Sequence, residues 1–467
     1  MLRPLRVGSA LLATLAAALA LPSSALAHQL TDRYQAPLPL IVYVAGAGLA
    51  VAMSFVFVIL RNAPASTGAK SATAPTRTVP RWLRGLLAAV GLIAWIWIVA
   101  QTLIGGSGDG DVASLFLWVY GWVGVALVSA LVGPAWAWID PFTTLHKSLA
   151  WIGSKLGLSG GEPADYPDRL GRWPAVAGFA AVVWIELVAR IGGGRPLGML
   201  LIAYTLLTLA GMSYFGRGPW RRNIEIFSVW FGLLGRLAPF ELAGEPEDGQ
   251  VRRRSFGAGL LYGGWSTDRL VIIALATGAI IFDGLSQTQI YFDLFGGIDL
   301  LGLPVLRDTV IAAAFLGGLV AVVLLVARRL NVAAICAGLL PVAVGYLVAH
   351  YLSYLIVDGQ RIISAINDPL LRGDNLLPFD LAFYEPKVFL PAAVLWSIQL
   401  AAVVGGHIVG AWAGHAALAE ETGRNEPVRQ LPLAALMVVL TSLTLWSLGQ
   451  AVLSPTAASQ AAGERLQ

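Results

Sequence analysis

Long apolar segments dominate this sequence and restrict the folds that it can adopt. Ten of them are long enough to cross the roughly 30 Å hydrocarbon core of a bilayer as an α-helix. They lie near residues 38–60, 85–104, 114–138, 174–190, 196–214, 269–284, 308–327, 332–356, 388–412 and 431–453. Of all residues, 57% are hydrophobic and 12% are charged, against roughly 25% charged in an average soluble domain. We therefore predict an all-α fold, a polytopic inner-membrane helix bundle with about ten transmembrane helices, and exclude a soluble enzyme.

The first 27 residues have the features of a secretory signal peptide. Two arginines precede the apolar run LLATLAAALAL, and Ala25 and Ala27 match the small-residue pattern that signal peptidase cleaves. We therefore predict that residues 1–27 are removed, which makes His28 the mature N-terminus. The alternative is that this segment stays as a first helix.

Lysine and arginine are distributed unevenly among the connections between the apolar segments. With the mature N-terminus outside, the cytoplasmic connections carry 21 basic residues and the outer segments carry 7. Those connections lie near 61–84, 140–173, 215–269, 328–331 and 419–430. Because cytoplasmic loops are enriched in lysine and arginine, this distribution predicts both termini on the outer side of the membrane, periplasmic or extracellular.

The region after the signal peptide, residues 28–467, is predicted as a single transmembrane domain with two distinctive cytoplasmic connections. Residues 61–84 are rich in alanine, serine, threonine and proline, which is typical of a flexible linker. The connection 215–268 contains the stretch NIEIFSVWFGLLGRL at 223–237, whose apolar residues lie close to helical spacing among arginines. This pattern predicts an amphipathic helix lying on the inner membrane surface.

Charge, cysteine content and motifs exclude several other classes of protein. The net charge is +4, but the basic residues lie between apolar runs rather than on one soluble face, so no nucleic-acid partner is expected. A single cysteine, Cys336, permits neither an intrachain disulfide nor a thiolate metal cluster. The sequence contains no HExxH, GxSxG or P-loop motif. It therefore lacks the catalytic motifs of zinc proteases, serine hydrolases and P-loop NTPases.

Few ionisable residues lie inside the predicted spans, and each is a functional candidate because a charge in hydrocarbon costs about 2.5–3.5 kcal/mol. They are Glu186, Asp283, His350 and His407, with Asp140 at a helix end. Under the predicted topology, Glu186, Asp283 and His350 lie at one depth near the outer surface. Two carboxylates and an imidazole at one level can act as a general acid and base, as a proton relay or as ligands of a divalent ion. We therefore name these three as candidate catalytic residues.

Structural roles are the alternatives for the same residues. Glu186 could pair with Arg190 one helical turn later, and His350 could hydrogen-bond a backbone carbonyl group. Tyr351 and Tyr354, next to His350, could serve as aromatic anchors at the membrane interface.

Histidines are also candidate metal ligands. A free N-terminal His28 would offer its amine and its ring nitrogen, as in known copper sites, and it belongs to the same face as His350. His407 is the third candidate, although its predicted depth is in the inner half of its helix. The sequence therefore leaves His28, His350 and His407 as candidate ligands of a divalent metal ion, although the depth of His407 argues against one ion shared with His350.

Glycines beside His407 suggest a simpler role for that histidine. Gly405, Gly406 and Gly410 are typical of close helix packing in membranes. In such an interface His407 would be a buried polar contact.

Six segments occur in collinear order: YPDRLGRWPA at 166–175, WIELV in the following helix, VAHYLSYLIVDGQ at 348–360, NDP at 367–369, GGHIVGAWAGHAAL at 405–418 and TSLTLWSLG at 441–449. Together they resemble the bacterial integral-membrane family named fenitrothion hydrolase, from His28 to the last helix. The resemblance implies a phosphoric triester hydrolase that cleaves organophosphorus triesters such as fenitrothion to a nitrophenol and a dialkyl thiophosphate. It also implies that some members work with a second membrane subunit.

The residues themselves are compatible with that chemistry. A phosphorothioate triester is neutral and apolar, so it partitions into the bilayer and needs no lysine or arginine clamp. Glu186 or Asp283 could be the base, and His350, with or without His28, could bind a metal ion that activates water. The competing function is a membrane transporter or copper-handling protein that uses the same residues as a proton or ion path.

Overall fold

A computed structural model describes residues 46, 48, 49, 51 and 53, and then residues 75–106, 111–158, 161–378, 385–422 and 431–448. The predicted signal peptide, His28 and most of the predicted first span lie outside these residues. The helices are α1 (Arg81–Ile104), α2 (Ser114–Leu131), α3 (Trp136–Ile139), α4 (Pro141–Lys155), α5 (Trp173–Leu187), α6 (Gly194–Phe215), α7 (Arg217–Asn223), α8 (Ile226–Leu234), α9 (Thr267–Ser286), α10 (Gln289–Phe295), α11 (Pro304–Arg329), α12 (Val332–Val357), α13 (Ile362–Asn367), α14 (Ala392–Thr422) and α15 (Leu431–Leu448). Three short strands are β1 (Thr76–Thr78), β2 (Phe240–Leu242) and β3 (Gln250–Arg253).

Eight helices in the described part of the chain are long and apolar enough to span a membrane, and they coincide with eight of the ten predicted spans. They are α1, α2, α5, α6, α9, α11, α12 and α14. The tenth predicted span forms α15, whose apolar stretch Leu431–Trp446 is shorter. The predicted helical membrane architecture is therefore confirmed, while the signal peptide and the total number of spans stay predictions.

Two spanning helices form the centre of the bundle. In the most apolar 18-residue stretches of α9 and α12, 78% and 83% of the residues are buried, against 22% in α1, α11 and α14. Helices that are buried on all sides contact protein, whereas the outer helices turn much of their surface towards lipid. Polar residues on α9 and α12 therefore face other protein groups.

Small residues allow α12 and α14 to approach each other closely. A Cβ atom on Gly406 would lie 2.6 Å from the carbonyl oxygen of Pro341, and one on Gly410 would overlap the carbonyl oxygen of Gly338. A Cβ atom on Gly405 would have no atom within 4 Å. The predicted close packing is confirmed at Gly406 and Gly410 and wrong for Gly405, which points away from the interface.

The second span is shorter than predicted and partly π-helical. Residues Ser114–Val125 form a π-helix, and Ala126–Leu131 continue as an α-helix. Gly133 and Pro134 follow in irregular structure. Proline lacks the N–H that would continue the helical hydrogen bonds, so the helix ends before the limit of the predicted span 114–138.

Contacts between connections support their predicted division into two sides. Strands β1 and β3 come from two different predicted cytoplasmic connections and pair antiparallel. Lys147, from a third, lies 3.3 Å from Glu247. On the opposite side, the N–H of Gly106 donates to the carbonyl oxygen of Leu370 at 2.8 Å. Segments predicted to share a side thus lie together, while which side faces the cytoplasm stays a prediction.

The predicted linker at 61–84 contains regular structure where it is described. Residues 75–84 form β1 and the start of α1. The strand order is β1-β3-β2, so β1 gains its hydrogen bonds from the central strand of a small antiparallel sheet. That pairing partner lies about 170 residues away in sequence, and local composition gave no indication of it. Residues 61–74 lie outside the described part.

The predicted surface helix at 223–237 lies inside the protein. It forms α8, in which seven of the nine residues are buried, among them Phe227, Trp230 and Phe231. A helix that is apolar around its whole circumference packs in a core rather than at an interface. The prediction of a helix lying on the membrane surface is therefore wrong.

Substitutions at neighbouring glycines test the α12–α14 contact. Gly410→Ala should lower the unfolding temperature of the detergent-solubilised protein, at a cost of about 1–3 kcal/mol, because the new methyl group forces two backbones apart. The matched control Gly405→Ala should be neutral or slightly stabilising, since alanine favours the helix and meets no neighbour. Equal unfolding temperatures for the two variants would contradict the close contact.

Candidate functional site

Asp283 and His350 meet between the two central helices. Asp283 lies in the last turn of α9, and His350 lies about two turns before the end of α12. The Nε2 atom of His350 is 2.9 Å from Oδ2 of Asp283. The two residues are only 6% and 4% exposed. When Asp283 is ionised, its carboxylate accepts a hydrogen bond from the Nε2–H group of His350, which fixes both the tautomer and the orientation of the imidazole ring.

Two further side chains hold the carboxyl group of Asp283. The hydroxyl of Tyr351 donates to Oδ2 at 3.0 Å, and Nε2 of Gln287 donates to Oδ1 at 2.8 Å. The ring of Tyr351 also contacts the ring of His350 edge-on, with centroids 4.5 Å apart. Three polar partners thus fix Asp283 in one position inside the bundle.

Glu186 lies beside this pair. It occupies the last turn of α5, is 6% exposed and interacts electrostatically with Asp283. Arg190, which the sequence suggested as an alternative ion-pair partner of Glu186, is exposed. The structure therefore brings the three predicted catalytic residues to one place. We call Glu186, Asp283, His350 and Tyr351 the acid–base cluster.

The tyrosines next to His350 do not form an aromatic belt at the membrane surface. Tyr351 and Tyr354 are 4% and 6% exposed, so both rings lie inside the protein. Sequence reasoning missed the role of Tyr351 because tyrosine near a membrane surface commonly anchors a helix in the interface. The signal that could have revealed this role was the position of Tyr351 next to His350 on a helix without a polar face.

The predicted metal ligands do not come together in the described part of the chain. His407 is fully buried, with Nδ1 2.7 Å from the carbonyl oxygen of Val403 and Nε2 2.6 Å from the hydroxyl of Thr441. These contacts match the buried polar role that the neighbouring glycines suggested. No group of three His, Cys, Asp or Glu residues among those described could hold a metal ion. His28 lies outside the described residues.

A second pair of buried acids lies on the predicted cytoplasmic side. Asp140 caps α4 by accepting the N–H groups of Phe142 and Thr143, as its predicted place at a helix end suggests. Glu225 caps α8 and accepts from the hydroxyl of Tyr204 at 2.6 Å. Burial raises the pKa of Glu225, and the charge of Asp140 adds to the effect. Sequence reasoning missed Glu225, although an acidic residue before an apolar run is a common helix start.

A cavity of about 420 Å³ lies at the end of the bundle away from the acid–base cluster. It is lined by residues such as Arg172, just before α5, whereas Glu186 lies at the far end of that helix. Fourteen residues of helix separate the two, or about 20 Å. The cavity and the acid–base cluster are therefore separate sites.

Comparisons with protein-family models, with curated proteins and with solved structures give no match to this chain. The function must therefore be argued from the geometry of the sites.

Removing the hydroxyl of Tyr351 tests the geometry around Asp283. Tyr351→Phe should destabilise the solubilised protein by about 1–3 kcal/mol, because a buried carboxyl group loses a hydrogen bond. Tyr214→Phe is the matched control, since Tyr214 is 62% exposed, and it should leave the unfolding temperature unchanged. If both variants unfold at the wild-type temperature, the Tyr351 hydroxyl does not hold Asp283.

Proposed function

We propose that this protein is a membrane-bound hydrolase that uses the acid–base cluster to cleave the aryl ester bond of apolar organophosphorus triesters such as fenitrothion. The observation that carries the proposal is the 2.9 Å contact between His350 and Asp283 in the interior of the bundle. A carboxylate that orients an imidazole is a recurrent way of making a general base in hydrolases.

His350 is the base in this proposal. With Nε2 held by Asp283, Nδ1 takes a proton from a water molecule as the water oxygen attacks phosphorus. The bond between phosphorus and the aryl oxygen breaks, and the nitrophenolate leaves with the electron pair. Asp283 stabilises the imidazolium ion that forms. Transfer of a proton to the phenolate then gives a nitrophenol and a dialkyl thiophosphate.

Glu186 and Tyr351 have supporting roles. Glu186, buried next to Asp283, is the second carboxyl group through which a proton returns to the phenolate. Tyr351 is a positioning residue, because its hydroxyl holds the carboxyl oxygen that orients His350. The same oxygen atom, Oδ2 of Asp283, thus accepts hydrogen bonds from both His350 and Tyr351.

The physical properties of the substrate support a site inside the membrane. A neutral triester dissolves in hydrocarbon and reaches the bundle from the lipid phase. Because it carries no phosphate charge, its binding does not require a lysine or an arginine near the cluster. Binding of a divalent ion would need His28 beside His350, and such an ion would supply a second means of activating water.

A proton or ion pathway is the second candidate function. Glu186 and Asp283 are neighbouring carboxyl groups inside spanning helices, which is typical of proton relays in transporters. Both are less than 10% exposed, so a proton reaches them more easily than a bulky ester does. In this alternative, any ester cleavage is incidental.

Release of nitrophenol from fenitrothion by membranes that contain the protein tests the hydrolase. His350→Gln should lower the rate by at least about 100-fold, the contribution expected of a general base. His146→Gln is the matched control, because His146 lies on α4 beside Ser213 and outside the cluster, and it should keep the wild-type rate.

Two further measurements separate the alternatives. If neither the protein alone nor the protein co-expressed with a second membrane subunit releases nitrophenol, the hydrolase proposal fails. Proton uptake into sealed vesicles that is lost in Glu186→Gln, without ester cleavage, would establish the transport function instead.

A further inference from the structure

The cavity at the predicted cytoplasmic end of the bundle has an unusual concentration of arginine. Its volume is about 420 Å³, and three carboxylates line it: Asp140, Glu241 and Glu245. The lining also includes six arginines: Arg172, Arg221, Arg222, Arg236, Arg254 and Arg269. We call this space the arginine cavity. Its lining carries more positive than negative charge.

Three of the arginines are neutralised by glutamates. Arg222 lies 2.6 Å from Glu245, and Arg221 lies 3.1 Å from Glu247. Arg254 forms an ion pair with Glu241. These pairs involve both glutamates of the lining, so that Asp140 is the remaining carboxylate among the described lining residues.

The remaining three, Arg172, Arg236 and Arg269, have no carboxylate within 4.0 Å of their guanidinium groups in the described part of the chain. The negative charge of Asp268 acts electrostatically on Arg172 and Arg269. Its carboxyl oxygens, however, accept the backbone N–H groups of these two residues, at 2.7 Å each. All three arginines line the cavity.

The three guanidinium groups also repel one another. Burial lowers the pKa of Arg236 to about 10, and the positive charge of Arg269 acts in the same direction. Arg236 is held in place by donating to the carbonyl oxygens of Tyr262 and Gly263 and by stacking 3.9 Å from the ring centre of Trp265. The protein thus fixes a cation in a position where neighbouring cations disfavour it.

Helix dipoles add to the positive potential. Arg172 immediately precedes the first residue of α5, and Arg269 lies in the first turn of α9. Cations are ordinarily disfavoured at the N-terminus of a helix, where the dipole is positive and anions are preferred. Asp268, whose carboxyl oxygens accept the backbone N–H groups of both arginines, supplies one negative charge for these two cations and the two helix ends.

We propose that the arginine cavity binds a phosphate-bearing anion through Arg172, Arg236 and Arg269. Guanidinium groups match phosphate oxygens with paired hydrogen bonds, and the cavity is large enough for a phosphate with a substituent. Both a phospholipid headgroup and a free phosphate present this chemistry, and the cavity lies beside the first residues of the spanning helices α5 and α9. The site is separate from the acid–base cluster and does not depend on its function.

Binding to the purified full-length protein tests the proposal. Inorganic phosphate is titrated calorimetrically against chloride at equal ionic strength, and unfolding temperatures are measured in mixed micelles with phosphatidylglycerol or neutral phosphatidylcholine. Phosphate binding identifies a free phosphate as the ligand, and a selective rise in unfolding temperature with phosphatidylglycerol identifies a headgroup. If phosphate does not bind and phosphatidylglycerol does not raise the unfolding temperature selectively, the proposal is wrong. The arginines would then serve only to orient the protein in the membrane.

Variants connect the binding to the arginines. Arg269→Gln should weaken binding at least about tenfold, while its unfolding temperature without ligand stays equal or rises because repulsion is relieved. Arg169→Gln is the matched control, because Arg169 is exposed and does not line the cavity, and it should bind as the wild type does. Equal binding by both variants, or a loss of ligand-free stability in Arg269→Gln, would overturn the proposal.

Discussion

A polar side chain inside a membrane bundle persists only when the protein supplies its hydrogen-bonding partners, and the contact between Asp283 and His350 meets this requirement. It joins α9 and α12, the two most buried of the eight spanning helices in the described part of the chain. Gly406 and Gly410 of α14 lie so close to the backbone of α12 that a methyl group would not fit. The position of the acid–base cluster therefore depends on the packing of these three helices.

The two ends of the bundle have opposite chemistry. Near the predicted outer surface, two carboxyl groups, an imidazole and a phenol form a compact acidic cluster. At the other end, three arginines without a carboxylate within 4.0 Å of their guanidinium groups in the described part of the chain line a cavity. Helix α5 links the two, with Arg172 just before its start and Glu186 in its last turn. The proposed acid–base function at one end and the proposed anion binding at the other should therefore be separable by substitution.

The sequence predicted the features that follow from hydrophobicity and helical rise. Helix positions and the common depth of Glu186, Asp283 and His350 come from counting residues along apolar segments. It did not predict contacts that depend on which helix faces which. The hydroxyl of Tyr351 on Asp283 and the pairing of β1 with β3 join residues far apart in sequence. The burial of α8 was missed for the same reason, since an apolar segment flanked by arginines fits both an interface and a core.

A double-mutant cycle on the unfolding of the solubilised protein is the most direct test of the central contact. It compares Asp283→Asn, His350→Gln and the double variant with the wild type. If the two side chains contact each other as described, the destabilisation by the double variant should differ from the sum of the single effects by about 0.5–3 kcal/mol. Additive effects, within about 0.5 kcal/mol, would show that Asp283 and His350 are not in contact and would contradict the account of the acid–base cluster.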